Sequence, residues 1–231
     1  MGGYGIYLIC SLPALLLGLW AQAKVRSAFN KYSRIRNYSG MTGEQVARRM
    51  LTSGGADDVR IEMTGGMLSD HYDPGKRVLR LSRDIYSSPS LAAAGVAAHE
   101  AGHALQHQQG YFMLFVRTAM VPTVQIGSWL GPIIFMIGLF MTSTFGTTLS
   151  WIGLGLFALT AMFALVTLPV EFNATNRAKA WLSESGVIHS QEMKGINSVL
   201  DAAALTYVAA ATQAITTILY YAFMLLGRRR N

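Results

Sequence analysis

The chain reads TAMVPTVQIGSWLGPIIFMIGLFMTSTFGTTLSWIGLGLFALTAMFALVTLPV from Thr118 to Val170, and none of these 53 residues is Asp, Glu, Lys or Arg. A membrane-spanning helix needs about 20 mostly apolar residues, so this run has room for two. We predict spans at Thr118–Met141 and Leu149–Val170, joined by the polar link Thr142–Thr148. Such a run excludes an ordinary soluble domain and predicts an integral membrane protein.

The composition of the whole chain agrees with a membrane protein. Charged residues make up 13% of the 231 residues and apolar residues 52%, whereas soluble domains have about 25% charged residues. So little charge could not cover the surface of a soluble globule of this size. The single cysteine, Cys10, excludes an intrachain disulfide, a cysteine-based zinc site and a CxxC redox pair.

Two further uncharged stretches bring the expected number of spans to about four. Tyr4–Ala23 is 20 residues long, and basic residues follow it rather than precede it, which favours a retained anchor over a cleaved signal peptide. Ala202–Gly227 gives the last stretch. We therefore expect a multi-pass membrane protein.

The basic residues near the spans predict the orientation, because Lys and Arg favour the cytosolic side. Those expected on one face, which we predict to be cytosolic, are Lys24, Arg26, Lys31, Arg34, Arg36, Arg117, Arg177, Lys179 and Lys194. Four crossings would place Arg228–Arg230 on the opposite face, so the last segment is alternatively re-entrant. The net charge of +7 fits anionic lipid as a partner. The chain has no nucleic-acid recognition motif.

The polar parts of the chain predict a small α+β domain. Thr42-Gly43-Glu44-Gln45 is a capping-box pattern that opens a helix through Met50. The other expected elements are strands at Val59–Thr64, Met67–Tyr72 and Arg77–Ser82, a turn at Asp73–Lys76, a helix at Ser90–Gln109 and a mostly helical segment at Glu171–Asp201.

The helix predicted at Ser90–Gln109 carries the candidate site, His99-Glu100-Ala101-Gly102-His103, which is an H-E-x-x-H sequence. Four residues advance a helix by about one turn, or about 6 Å, so His99 and His103 lie on one face. Two imidazoles at this spacing can bind one Zn²⁺. Glu100 is positioned to accept a proton from a water that zinc activates and to pass it to a leaving amine. We interpret His107, one turn further on, as a structural or supporting residue.

A catalytic zinc needs a third protein ligand and an open position. Gln106 and Gln109 occupy the places where a metzincin has Gly and His, which excludes that class. Glu171 is the best candidate, about 70 residues downstream, because the hairpin of two spans returns the chain to the membrane face of His99. The alternative role for Glu171 is a charge that interacts with a helix dipole.

With these motifs the sequence resembles the YugP-like neutral zinc metallopeptidases of bacterial membranes. The resemblance covers nearly the whole chain and depends on residues 70–74, 78–82, 97–106, 168–174 and 203–210. Residues 78–82 and 168–174 also look like distant relatives of the HtpX-like and CAAX-prenyl endopeptidases. The resemblance implies a gluzincin-type peptidase, with His99, His103 and Glu171 as zinc ligands and Glu100 as base.

The sequence departs from the gluzincin pattern near the expected ligands. Gluzincins commonly have a carboxylate four residues after the glutamate ligand, and this chain has Thr175 there. A donor to the developing oxyanion is also expected, and the candidates are His71, Tyr72, Arg177 and Tyr207. Gluzincin substrates typically lie along an edge strand, for which Arg77–Ser82 is the candidate; an ordinary hairpin strand is the alternative.

The expected organisation has five parts. They are an N-terminal anchor at 1–23, a zincin-like metallopeptidase domain at 24–113, a transmembrane hairpin at 114–170, a segment with the third zinc ligand at 171–201, and a C-terminal span with a basic tail at 202–231.

The function we expect is a membrane-anchored zinc endopeptidase that acts on peptide or membrane-protein substrates in quality control or processing. It would work alone, as a homo-oligomer or with a membrane partner protein. The alternative is a zinc-containing scaffold or chaperone-like partner protein without proteolysis. An intramembrane site-2-type protease is less favoured. The third zinc ligand of that class is an Asp followed by Gly, whereas Asp201 is followed by Ala202.

Overall fold

The computed structural model describes residues 3–66 and 69–228, with side chains described from residue 11 to residue 227 apart from the gap. Seven helices and three strands occur in these ranges. They are α1 (Gly3–Tyr32), α2 (Gly43–Ser53), β1 (Arg60–Thr64), β2 (His71–Asp73), β3 (Val78–Ser82), α3 (Arg83–Tyr86), α4 (Leu91–Gln108), α5 (Phe112–Phe140), α6 (Thr144–Glu184) and α7 (Met193–Arg228).

The chain divides into two compact units. The first comprises the residues up to Trp20, Val116–Leu168 and the residues from Thr206 onwards. The second comprises Ala21–Phe115 and Pro169–Leu205. The HExxH sequence, the sheet and Glu171 therefore all belong to the second unit.

The second unit is built around α4. Ser90 caps this helix, since its side-chain oxygen accepts a hydrogen bond from the Ala93 backbone N–H at 3.2 Å. The first half of α4 consists of small residues that are almost all buried, which allows neighbouring elements to approach closely. The hydrophobic core around α4 includes side chains from α2, β3, α3, α6 and α7. Leu79 and Leu81 of β3 are fully buried, and each contributes about 1.5–3 kcal/mol to stability.

Local sequence signals are confirmed in this unit. Thr42 caps α2 with both hydrogen bonds of a capping box, as predicted. β2 and β3 pair antiparallel across the predicted turn, where the Lys76 N–H donates to Asp73 Oδ1 at 3.1 Å. The predicted strand Met67–Tyr72 begins in the part of the chain outside the described residues, and the observed strand is His71–Asp73.

The sheet corrects one expectation. Its order is β1-β3-β2, with β1 parallel to β3 and β2 antiparallel to it. The strand at Val78–Ser82 is therefore central, and the prediction of an edge strand at Arg77–Ser82 is wrong. Both of its sides are occupied because β1, which precedes the hairpin, pairs with it from Arg60 to Thr64. The edges of this sheet are β1 and β2.

Three helices in the described ranges are long and apolar enough to cross a membrane: α5, α6 and the Met193–Gly227 part of α7. Large apolar side chains on α5 are exposed, among them Trp129 at 69% and Phe140 at 80%, which suits contact with lipid. The stretch Tyr4–Ala23 lies within α1, which is not one of the three, so the fourth span stays a prediction. Arg229 and Arg230 lie outside the described residues.

In the first unit, α5 and α6 form a tight hairpin. The link is shorter than predicted, because only residues 141–143 separate the two helices. Glycines allow close contact between the backbones: a Cβ atom on Gly131 would lie 2.9 Å from the Phe157 nitrogen. Small residues at such interfaces are the usual basis of helix association in membranes. Further along, α6 continues without interruption past Glu171 to Glu184.

Candidate metal centre

His99, His103 and Glu171 meet in the second unit, where each offers a ligand atom and these atoms lie within 4.8 Å of one another. Glu171 Oε2 is 3.1 Å from His99 Nε2 and 3.5 Å from His103 Nε2. The rings of the two histidines are nearly perpendicular, with centroids 4.8 Å apart. Their nitrogens therefore point at the same carboxylate oxygen.

Close packing of α4 against α6 makes this geometry possible. A Cβ atom on Gly102 would lie 2.9 Å from the Ala174 carbonyl oxygen and 3.3 Å from its Cα, so only glycine fits without movement of the backbone. Ala174 is three residues after Glu171, and both are buried. The glycine inside the HExxH sequence thus brings α6 to the distance at which the carboxylate reaches both imidazoles.

We expect Gly102→Ala to lower the stability of the protein by about 1–3 kcal/mol, the usual cost of overpacking, and to weaken zinc binding. Gly95→Ala is the matched control on the same helix, because a Cβ atom there would meet Ile196 and Leu200 only at ordinary distances of 3.7–3.8 Å. Thermal unfolding in detergent and chelator competition measure the two effects. Equal behaviour of the two variants would contradict the role assigned to Gly102.

The donor set fits zinc. Two imidazole nitrogens and one carboxylate oxygen are a known ligand set for catalytic zinc, which keeps a further position open. Glu171 is only 2% exposed, and a buried carboxylate needs positively charged or hydrogen-bonding partners. Burial alone would lower the pKa of His103, but the hydrogen bond and charge of Glu171 outweigh it and raise that pKa. Protons therefore compete with a metal for this imidazole as the pH falls.

Glu100 lies next to His99 on α4 and is partly exposed. Partial exposure suits a group that exchanges protons with water and substrate. Its role as the base remains a prediction.

The residues expected to donate to the oxyanion differ in their positions and hydrogen-bond partners. His71 is exposed on β2, with Nδ1 2.7 Å from the Ser69 carbonyl oxygen. The Tyr72 hydroxyl lies 2.8 Å from His107 Nδ1. Arg177 on α6 donates to Asn173 Oδ1 at 2.7 Å. Tyr207 is on α7 in the first unit. Each of the four stays a candidate.

Two contacts of the site histidines are not predicted from the sequence. Gln106 is fully buried and contacts His103 Nδ1 through Oε1 at 3.0 Å, although in the sequence it served only to exclude a metzincin. The available signal was its spacing of three residues from His103, which places both side chains on one helix face. Thr175, noted only as a departure from gluzincins, has Oγ1 3.2 Å from His99 Nδ1.

Comparisons with known proteins agree with this site. The family described as "Putative neutral zinc metallopeptidase" matches residues 7–226. The "Putative membrane protease YugP" of Bacillus subtilis (strain 168) is 45% identical over 229 residues, which cover 98% of this chain and all of that protein. No solved structure matches the chain. With a match over nearly its whole length, the chain belongs to the family of neutral zinc metallopeptidases.

Proposed function

We propose that the protein is a membrane-anchored zinc endopeptidase of the gluzincin type. The observation that carries the proposal is the convergence of His99, His103 and Glu171, with Glu100 beside the first ligand. A zinc ion held by these three side chains would supply Lewis acidity toward a peptide carbonyl and a water molecule. Glu100 would accept the proton of the attacking water and deliver it to the leaving amine.

The substrates we propose are peptides and membrane-protein segments near the bilayer. Because β3 is central, we propose β2 as the strand along which a substrate lies, since β2 contacts α4. Its residues His71–Asp73 would pair with the main chain of the substrate by β-augmentation.

The remaining features of the proposal concern the membrane. We propose a zincin-like domain at 24–113, the ligand-bearing segment at 171–201 and four spans, with the site on the cytosolic face. Exposed basic side chains lie in the last part of α1 and just after it: Lys24, Arg26, Lys31, Arg34 and Arg36. Such a cluster favours the leaflet with anionic lipids by about 1 kcal/mol per residue. The role we propose at this location is membrane-protein quality control or processing.

Metal removal tests the proposal directly. We expect the purified protein to contain one zinc per chain and to lose peptide hydrolysis when a chelator removes it. Added Zn²⁺ should restore hydrolysis, whereas Mg²⁺ should not, because a site with two imidazoles suits zinc and not a hard oxygen-seeking ion. Zinc content by atomic absorption and cleavage of a broad peptide library are the measurements. Bound zinc without any hydrolysis would instead favour the non-proteolytic scaffold.

A further inference from the structure

A partly buried hydrogen-bond network beside His103 runs from Arg177 to the Val170 carbonyl oxygen, and the chemistry of these two ends determines which atoms donate. Arg177 can only donate, and its Nε donates to Asn173 Oδ1 at 2.7 Å. The Val170 carbonyl oxygen can only accept, and Gln106 Nε2 donates to it at 2.8 Å. The same Nε2 donates to Asn173 Oδ1 at 2.9 Å. Both amide hydrogens of Gln106 are therefore used.

The protonation of His103 follows from this arrangement. With Nε2 of Gln106 committed to two acceptors, its Oε1 faces His103 Nδ1 at 3.0 Å. A carbonyl oxygen cannot donate, so Nδ1 of His103 must carry the hydrogen. With a metal between them, the Nε2 lone pair of His103 and the carboxylate of Glu171 would both face the ion. Gln106 is fully buried, so no exchange with bulk water relaxes this constraint.

A second neutral group, the hydroxyl of Thr175, contacts His99. Thr175 Oγ1 lies 3.2 Å from His99 Nδ1, and Thr175 is 4% exposed. The opposite nitrogen, Nε2, is the one that lies 3.1 Å from Glu171. A hydroxyl can donate or accept, but with zinc on Nε2 the ring hydrogen of His99 would be on Nδ1, and Oγ1 of Thr175 would then accept it, as Gln106 Oε1 does for His103.

We propose that Gln106 and Thr175 are the positioning residues of the metal centre, and that each accepts the Nδ1 hydrogen of one zinc-bound imidazole through a neutral group. The inference rests on the proposed function, since it concerns the same two ligands. A carboxylate in either place would add a second buried negative charge beside Glu171 and would need its own compensation. Neutral acceptors orient the rings without that charge.

The first experiment compares Gln106→Leu with Gln108→Leu. Leucine is close to glutamine in size but offers no acceptor. Removing such a partner typically weakens metal binding about 10–100-fold, and we expect this loss for Gln106→Leu in chelator competition with Zn²⁺. Gln108 is exposed on the same helix and contacts Arg77, so its replacement should leave zinc affinity at the wild-type level. Wild-type affinity in Gln106→Leu would overturn the proposal for Gln106.

The second experiment uses Thr175→Val and Thr175→Ser. Valine keeps the shape of threonine and removes the hydroxyl, so zinc affinity should fall, while serine restores the hydroxyl and should rescue it. A role limited to packing predicts the reverse order. This pair also tests the proposal if Gln106→Leu fails to fold.

A tautomer measurement on the metal-free protein separates this proposal from the proposed function. We expect ¹⁵N ring spectra at alkaline pH, assigned with His99→Gln and His103→Gln, to show hydrogen on Nδ1 of His103, because Gln106 Oε1 at 3.0 Å is a nearer acceptor than Glu171 Oε2, which lies 3.5 Å from Nε2. Hydrogen on Nε2 of His103 would overturn the inference for Gln106 even if the wild type binds zinc and hydrolyses peptides. Hydrogen on Nδ1 of His103 in a protein that binds no zinc would support the network while refuting the peptidase.

Discussion

Replacing Glu100 by Gln is expected to leave zinc bound and to lower peptide hydrolysis by about 10²–10⁴-fold, the usual contribution of a general acid–base group. The amide has nearly the shape of the carboxylate, so α4 and the two histidines should keep their positions. It cannot take up a proton from the attacking water, and that is the property removed. Zinc content and initial rates of cleavage, measured on the same preparation, check both halves of the prediction.

The matched control is Glu44→Gln in the first turn of α2, a partly exposed glutamate that belongs to the same unit. It should hydrolyse peptides at the wild-type rate. Full activity in Glu100→Gln would refute the assignment of the base. If neither the wild type nor the variant cleaves any peptide while both hold zinc, the non-proteolytic scaffold becomes the better account.

Replacing Glu171 by Gln is expected to remove the metal. The change leaves the two histidines as the remaining donors of the set, and the loss in zinc affinity should exceed the about 10–100-fold typical of an orienting partner. In the wild type, zinc should also raise the unfolding temperature, because a ligand that binds only the folded state stabilises it. That increase should be absent in Glu171→Gln.

Glu184→Gln provides the control on the same helix, since Glu184 is exposed at the end of α6. It should keep one zinc per chain and the full thermal shift. Retention of zinc with wild-type affinity in Glu171→Gln would show that Glu171 is not a ligand, and that its contacts with the histidines serve the fold alone.

The sequence predicted best what depends on neighbouring residues. The cap at Thr42, the hairpin around Asp73–Lys76 and the helix with His99 and His103 all follow from local patterns, and the structure contains each of them. The ligand role of Glu171 was inferred from the hairpin topology, which requires only that two spans return the chain to the same side. The structure places its carboxylate beside both histidines.

Features that depend on contacts between distant parts of the chain could not be predicted from local sequence patterns. Whether Val78–Ser82 is central or at an edge is decided by its parallel pairing with β1, which leaves no local mark in the sequence. Gln106 acquires its role through the Val170 carbonyl oxygen and Asn173, both more than 60 residues away. An amide in a helix has no characteristic pattern until the partner helix is placed against it.

The split of the ligand set along the chain has a consequence for biogenesis. His99 and Glu171 are 72 residues apart, and the whole uncharged run of 118–170 lies between them. A ribosome must therefore complete both hydrophobic helices before the third donor exists. Until then a nascent chain has only a pair of imidazoles, which holds zinc less firmly than the full set. Under the proposed function, hydrolytic competence would be delayed until the hairpin has been synthesised, a form of latency that needs no inhibitory propeptide.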